Sequence, residues 1–264
     1  MKNLLTSLGL LAIGFCFETG TASSGEPVRL RVLSYNIHHA EGVDRKLDVE
    51  RIAAVIQSVK PDLVALQEVD RKVNRTNGVD QPAELARLTE MRVAFGANIE
   101  LQGGHYGNAV LSRFPIARQQ NHLLPNVDNG EQRGVLAVEV KLPAPGESLL
   151  LLATHFDHRR DEKERVLSAG AVNELVAKED RPAILAGDLN DAIGSQTLDT
   201  LDRVWKRSNA EPLPTIPVTQ PNRQIDFVLV RPTSRWKILE TRVLDEAVAS
   251  DHRAILAVLE LQPR

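Results

Sequence analysis

The chain reads as a mixed α/β protein with helices covering the outer faces of its sheets. Three observations predict this. Short apolar runs of strand character recur along the whole chain, helical spacing of apolar residues appears between some of them, and several strands follow one another directly. Strand–helix–strand units call for parallel pairs and direct succession calls for antiparallel ones, so the sheet is mixed. At 264 residues, 42% hydrophobic and 25% charged, the chain has enough apolar material for one large core, and one domain is expected.

Residues 1–24 stand apart. Lys2 leads a mostly apolar stretch over 4–17, followed by the small residues Gly20, Thr21, Ala22, Ser23 and Ser24. A basic start, a short apolar segment and a small-residue cleavage region predict a signal peptide. The domain is then 25–264, secreted or periplasmic, with no stable membrane insertion after processing. Cys16 is the sole cysteine and lies in the leader, where bulky Phe15 before it argues against lipid attachment. The remaining chain therefore has neither a disulfide nor a thiol nucleophile. Formal net charge is −3, and Lys2 and Glu18 cancel when the leader is removed. No basic field is available for a long nucleic-acid footprint, although a bound metal ion can supply local positive charge for a short phosphate substrate.

The first strand of the domain is predicted over 30–34. Asp48 then caps a helix with Ile52, Val55, Ile56 and Val59 at helical spacing, which ends before Lys60-Pro61. The run 63–66 is the next strand, and a short helix follows over 82–88. Strands near 91–98, 107–112, 116–122, 134–142 and 149–154 arrive in succession and so pair antiparallel in part. A longer helix is predicted over 161–178, with Val166, Leu167, Ala171, Leu175 and Val176 on one face. Strands at 182–186, 227–230 and 254–259 complete the set. The proline-rich segments 143–146 and 212–221 are loops, because apolar strands continue on both sides.

Gly187-Asp188-Leu189-Asn190 closes the strand at 182–186 and is the most informative stretch of the chain. Asp188 and Asn190 are alternate residues, which places them on the same side of the strand end. An unpaired buried carboxylate costs on the order of several kcal/mol, so this pair must meet water in a cleft, a metal or a proton-sharing partner. The arrangement recurs. Strand 30–34 runs into Tyr35-Asn36, 63–66 into Gln67-Glu68 and 149–153 into Thr154-His155, while Gln224-Ile225-Asp226 and Ser250-Asp251-His252 precede the last two strands. Polar groups at one end of six strands predict a single site at one edge of stacked sheets.

The oxygens of Glu68, Asp188, Asp226, Asp251, Asn36 and Asn190 are hard ligands suited to Mg²⁺, or alternatively Mn²⁺. His155 and His252 remain for proton transfer or charge stabilisation, and no serine sits in a nucleophile-elbow context. Such a set suits metal-assisted hydrolysis of a phosphate ester by water. His252 is the best proton acceptor, with Asp226 on a neighbouring strand to orient its imidazole.

Tyr35-Asn36-Ile37, Leu66-Gln67-Glu68-Val69, the run from Gly107 to Arg113, Thr154-His155, Gly187-Asp188-Leu189-Asn190, Gln224-Ile225-Asp226-Phe227 and Ser250-Asp251-His252 occur in a specific order. That ordered set resembles the endonuclease/exonuclease/phosphatase superfamily, the deoxyribonuclease I-like metal-dependent phosphoesterases, from Leu30 to about Leu259. The resemblance implies a four-layer α/β sandwich of two facing mixed β-sheets flanked by helices, with Mg²⁺ at their common edge. Carried over, Glu68 is similar to the principal metal ligand, with Asn36 and Asp251 nearby. Asp188 resembles the residue that orients or deprotonates the water and Asn190 a phosphate contact. Asp226 and His252 are similar to the carboxylate–imidazole pair, and His155 to the histidine that stabilises the phosphate or leaving oxygen. The implied partner is a phosphate ester, either a mono- or a diester, from nucleic acid, phospholipid head groups or sugar and inositol phosphates. A monomer is expected.

Some features depart from the superfamily pattern. Gln224 stands where many members carry an arginine, secreted deoxyribonucleases rely on disulfides that this chain lacks, and at 4% aromatic there is no membrane-binding aromatic stretch. Asp157-His158-Arg159-Arg160-Asp161 reads as a charged turn with Asp161 capping the next helix, the alternative being arginines that grip a second phosphate. His38-His39 is expected in a solvated loop. Residues 103–106 read as a flexible loop in which Tyr106 packs or stacks on a substrate ring. Two other readings remain: a secreted non-catalytic binding module on the same fold, and a calcineurin-like phosphoesterase suggested by Gly187-Asp188-Leu189-Asn190-Asp191. The latter lacks the upstream Asp-x-His and downstream Gly-Asn-His-Glu elements that its two metals need.

Overall fold

The structure, a computed structural model, describes residues 25–143 and 147–263. The expected leader and most of the 143–146 loop lie outside them. The described elements run β1 (Val28–Asn36), α1 (Val49–Ser58), β2 (Leu63–Arg71), α2 (Gln81–Thr89), β3 (Arg92–Leu101), β4 (Gly104–Ser112), β5 (Ile116–Leu123) and β6 (Gly134–Lys141). After them come β7 (Ser148–His155), α3 (Lys163–Leu175), β8 (Ala183–Asp188), α4 (Gln196–Asp202), β9 (Lys206–Arg207), β10 (Asp226–Arg231), β11 (Trp236–Val243) and β12 (Ile255–Leu261).

Two six-stranded sheets result, ordered β11-β12-β1-β2-β4-β3 and β5-β6-β7-β8-β10-β9. Each contains one parallel pair, β1 with β2 and β7 with β8, and its other pairings are antiparallel. A helix crosses between the members of each parallel pair, α1 in one sheet and α3 in the other. Helix α1 starts where Asp48 accepts the Arg51 amide at 2.8 Å, and α2 where Asp80 accepts that of Ala83 at 3.2 Å with Pro82 in the first turn.

Strand alternation sorts the core into three apolar layers. Leu30 and Val32 of β1, Leu63 and Ala65 of β2, Leu149, Leu151 and Ala153 of β7, Ile184 and Ala186 of β8, and Val228 and Val230 of β10 form the layer between the sheets. The opposite faces of β1 and β2, with Leu33, Tyr35, Val64 and Leu66, pack on Ile52 and Ile56 of α1 and Leu85 of α2. Ala183, Leu185, Phe227 and Leu229 cover the other sheet towards Ala169 and Val172 of α3 and Leu198 and Leu201 of α4. The expected four layers are present.

Strand parity carries polar groups onto the faces that meet. Counting by twos from the inter-sheet residues, Asn36 continues β1, His155 continues β7, Asp188 continues β8 and Asp226 begins β10. The four polar groups thus lie on the inner faces of both sheets, at the end where the apolar filling stops.

Several expectations change. Strand β2 runs on to Arg71 through a bulge, so Glu68 is within a strand rather than at its end. Residues His105 and Tyr106 belong to β4 and pair with β3, so this stretch is not a flexible loop. Helix α3 buries Glu164, Arg165, Ala169 and Val172, whereas Leu167 and Leu175, predicted on its inner face, are exposed. Ion pairs of Arg165 with Asp191 at 3.1 Å and of Glu164 with Arg159 at 2.6 Å allow charged residues to face inward. The cap position of α3 is Glu162 rather than the expected Asp161, which lies one residue earlier and accepts the Lys163 amide at 2.9 Å. Elements α4, β9 and β11 carry no signal strong enough for assignment: α4 is short, and β11 is an edge strand of mixed exposure.

Gly187 pairs with Thr154 across β7 and β8, and a Cβ there would collide with the Thr154 carbonyl oxygen. Gly187→Ala should destabilise the fold by about 1–3 kcal/mol through overpacking, measured by denaturant unfolding. Unchanged stability would show that the two strands can part at no cost.

Candidate active site

The polar strand ends meet in a cleft of about 440 Å³ at the common edge of the two sheets. Its walls carry Glu68, His155, Asp188, Asn190, Asp251 and His252, together with His38, Arg75, Tyr106, Glu131, Arg133 and His158. Asn36 and Asp226 lie directly behind them, buried.

Asn36 ties the sheets together. Its amide nitrogen donates to Glu68 Oε1 at 3.0 Å in its own sheet and to Asp188 Oδ2 at 3.1 Å in the facing one. Its oxygen accepts the His38 amide at 3.0 Å. Glu68 reaches this contact because of the bulge, where Gln67 and Glu68 together oppose a single β4 residue and Glu68 adopts φ 57°. A left-handed glutamate is strained by roughly 1–3 kcal/mol, and without the extra residue every side chain beyond it would change face.

Asp188 Oδ1 accepts the Asn190 amide at 2.9 Å, and Asn190 itself is left-handed at φ 51°. That turn brings the Asn190 side-chain nitrogen 3.0 Å from His155 Nε2, and it donates to the Phe156 carbonyl at 3.0 Å. Asp188 Oδ2 also lies 3.5 Å from His155 Nε2 and 3.7 Å from His252 Nε2. Burial, then the charge of Asp226, hold the Asp188 carboxyl above the usual carboxylate range.

His252 donates from Nδ1 to Asp226 Oδ2 at 2.9 Å, and the same oxygen accepts the Thr215 hydroxyl at 2.6 Å. Burial opposes the charged ring, but Asp226, Asp188 and Asp251 outweigh it and push the imidazole up to about 10. At neutral pH and without a bound cation, His252 is therefore an imidazolium paired with Asp226. His155 behaves in the opposite way. Burial, then the Arg133 guanidinium and two nearby histidines, hold it well below its ordinary value. Arg133 Nη1 lies 3.1 Å from His155 Nδ1 and Asn190 Nδ2 lies 3.0 Å from Nε2; both neighbours are donors, an environment that favours the neutral ring.

All eight residues singled out by the sequence stand in or directly behind this one cleft, with Asp251 at its exposed rim. Sequence reasoning missed Arg133, Arg75 and Thr215. Arg133 is 3% exposed, contacts His155, His158 and Glu131, and precedes Gly134, the first residue of the strand beside β7. A basic residue at the start of a strand on this edge was the available signal. Thr215 arrives from a proline-rich loop with no such signal. His38 and His39 are not in a solvated loop: His38 lines the cleft and His39 is buried. His158 does line the cleft, while Arg159 is committed to Asp157 at 2.9 Å and Glu164 at 2.6 Å. Gln224 is buried and braces its loop, accepting from Asn209 and Leu213 at 2.8 Å.

The profile of the Endonuclease/Exonuclease/phosphatase family matches residues 33–252. The chain belongs to that family. It is 30% identical over 246 residues to the uncharacterized protein YbhP of Escherichia coli K12, covering 88% of this chain and 96% of that protein. The crystal structure of an endonuclease/exonuclease/phosphatase from Beutenbergia cavernae superposes with a TM-score of 0.76 at 28% identity, over 88% of this chain and 72% of that one. The mannosyl-6-phosphatase Bt3783 of Bacteroides thetaiotaomicron shares the fold at TM-score 0.72 and 22% identity, over 87% of this chain and 99% of its own. The calcineurin-like alternative falls away, since Asp191 is occupied by Arg165 at 3.1 Å and Thr197 at 2.8 Å.

The raised proton affinity of His252 fixes the sign of a stability profile. The Asp226–His252 pair contributes in full below the ordinary imidazole value of 6.5 and is lost as pH rises through about 10. Chelator-treated protein should therefore melt at progressively lower temperature across that window, and His252→Gln should flatten the fall. A wild-type slope in the variant would remove this pairing as its source.

Proposed function

We propose that the protein is a secreted Mg²⁺-dependent phosphoesterase that hydrolyses a small phosphate ester by attack of water. The observation that carries the reading is the continuous chain Glu68–Asn36–Asp188–His252–Asp226 in one cleft, which spans both sheets and joins carboxylates to an imidazole. A binding module gains nothing from burying like charges together, whereas hydrolysis needs a cation seat beside a proton-handling pair.

The donor set fits a hard cation. Carboxylate oxygens converge on the amide of Asn36, and Asp226 Oδ1 is buried with no hydrogen-bond partner. Glu68, with Asn36 and Asp251, would hold Mg²⁺, whose charge neutralises the phosphoryl oxygens. The chain's own groups do the rest. Asp188, with its raised proton affinity, orients the attacking water and accepts its proton. His252, already charged through Asp226, stabilises the anionic phosphoryl group or protonates the leaving oxygen, a role its raised proton affinity favours over that of base. Asn190 donates to a phosphoryl oxygen, and His155, held through Nδ1 by Arg133, lies beside it to stabilise the phosphate or the leaving oxygen.

A cleft of about 440 Å³ suits a compact ester such as a sugar or inositol phosphate or a lipid head group better than a long duplex, and the net charge of −3 supports that choice.

Hydrolysis measured across a sugar phosphate, a head-group diester and double-stranded DNA should stop on adding a chelator and return with Mg²⁺. Full turnover in metal-free protein would reject the mechanism. His252→Ala should lower turnover by roughly 10²- to 10⁴-fold with an intact circular dichroism spectrum. Near wild-type turnover in that variant would relieve His252 of any chemical role.

A further inference from the structure

Asn36 is followed by two histidines to which the proposed hydrolysis assigns no part. His38, His39 and Ala40 adopt φ 44°, 42° and 62°, three successive side-chain-bearing residues in the left-handed region. Such a run is costly, and it is held from outside. The Asn36 oxygen accepts the His38 amide at 3.0 Å, and buried Gln81 donates to the His39 carbonyl at 2.6 Å. The amides of Ala40 and Glu41 donate to the carbonyls of Ile37 and His38, each at 2.8 Å. The two imidazole rings lie 4.6 Å apart, edge towards face.

Glu41 orients both rings. A carbonyl oxygen can only accept, so His38 Nδ1, 3.0 Å from the Glu41 carbonyl, carries the proton and Nε2 keeps a lone pair. The Glu41 carboxylate lies 3.7 Å from His39 Nε2, which draws the proton to that nitrogen and leaves the lone pair on Nδ1. His39 Nδ1 is buried with no hydrogen-bond partner. Each ring thus has one nitrogen facing a carbonyl or carboxylate and the other free to offer a lone pair, the pairing that metal-bound histidines make. One ring nitrogen from each histidine and one carboxylate oxygen of Glu68 lie within 4.8 Å of one another.

We propose that His38, His39 and Glu68 hold a second divalent cation of borderline character, Zn²⁺ in the first instance, beside the phosphate cleft, with Glu41 as the positioning residue for both imidazoles. Two imidazoles and one carboxylate form a donor set for zinc or a first-row transition ion, whereas Mg²⁺ prefers oxygen ligands alone. Zinc–nitrogen bonds of about 2.0–2.1 Å require the three donor atoms to draw somewhat closer, which rotation of the His38 and Glu68 side chains can supply. Glu68 is the residue common to both cation seats.

Co²⁺ is the probe, because its visible absorption reports ligand type and its binding is independent of hydrolysis. Metal-stripped protein should bind Co²⁺ with a visible band that Zn²⁺ displaces. His39→Gln should weaken that binding at least ten-fold. Glu41→Gln, which leaves all three donors in place, should weaken it by roughly 10- to 100-fold. Melting curves check the fold of each variant, and Glu41→Gln decides the matter if His39→Gln does not fold. Unchanged affinity and band in the folded variants would overturn the proposal. Loss of the band in Asp188→Asn but not in the histidine and Glu41 variants would do the same, by assigning the ion to the other cluster. A protein that hydrolyses none of the esters yet shows the expected Co²⁺ pattern would sink the proposed function and leave this site standing.

Discussion

The structure depends on one amide. Asn36 sits at the last position of β1, on the inner face, and its nitrogen is shared between a carboxylate of its own sheet and one of the opposite sheet. Two stacked sheets filled with aliphatic side chains have no intrinsic reason to keep a polar gap at one end. Water would flood it or side chains would close it. A donor that serves both Glu68 and Asp188 keeps two acidic groups near each other without direct contact, and Ser250 anchors the same residue by donating to the Asn36 carbonyl at 2.8 Å. Like charges held in a low-dielectric setting then create a demand for positive charge that the cleft is built to meet.

Around this link the two imidazoles are driven to opposite protonation states by their neighbours. His252 lies among carboxylates and keeps its proton; His155, buried against a guanidinium, has its proton affinity lowered. The distinction arises from topology. Both parallel pairs, β1 with β2 and β7 with β8, release their chains at the same edge, so the groups at their ends face each other across the gap between the sheets. The antiparallel arrivals of β10 and β12 add Asp226 and His252 from the other chain direction, which places residues 26 apart within 2.9 Å.

Much of this was legible in the chain. Asn36, His155, Asp188 and Asp226 are readable because each extends a period-two apolar run, and parity survives folding as long as the strand stays regular. Legibility failed where regularity did. The bulge in β2 inserts a residue that no local pattern announces, so Glu68 could be named from its neighbours but not aimed. His38 and His39 adopt left-handed backbone that their residue types do not favour, and the contacts that enforce it come from Gln81, more than 40 residues away. Arg133 and Thr215 enter the site from loops whose paths are set by sheet stacking. The inner face of α3 was misread because Arg165 and Glu164 are buried with ionic partners, which hydrophobic periodicity cannot see.

One wall of the cleft is fixed before any guest arrives. Arg75 is gripped through two nitrogens by buried Asp70, each at 2.8 Å, while its guanidinium lies 5.3 Å from the centre of the Tyr106 ring. A cation committed on two sides cannot swing out to chase a guest. On that side a guest encounters a preset contour, with the ordering cost already met when the chain folded, so selection there falls to outline and reach rather than to mutual adjustment.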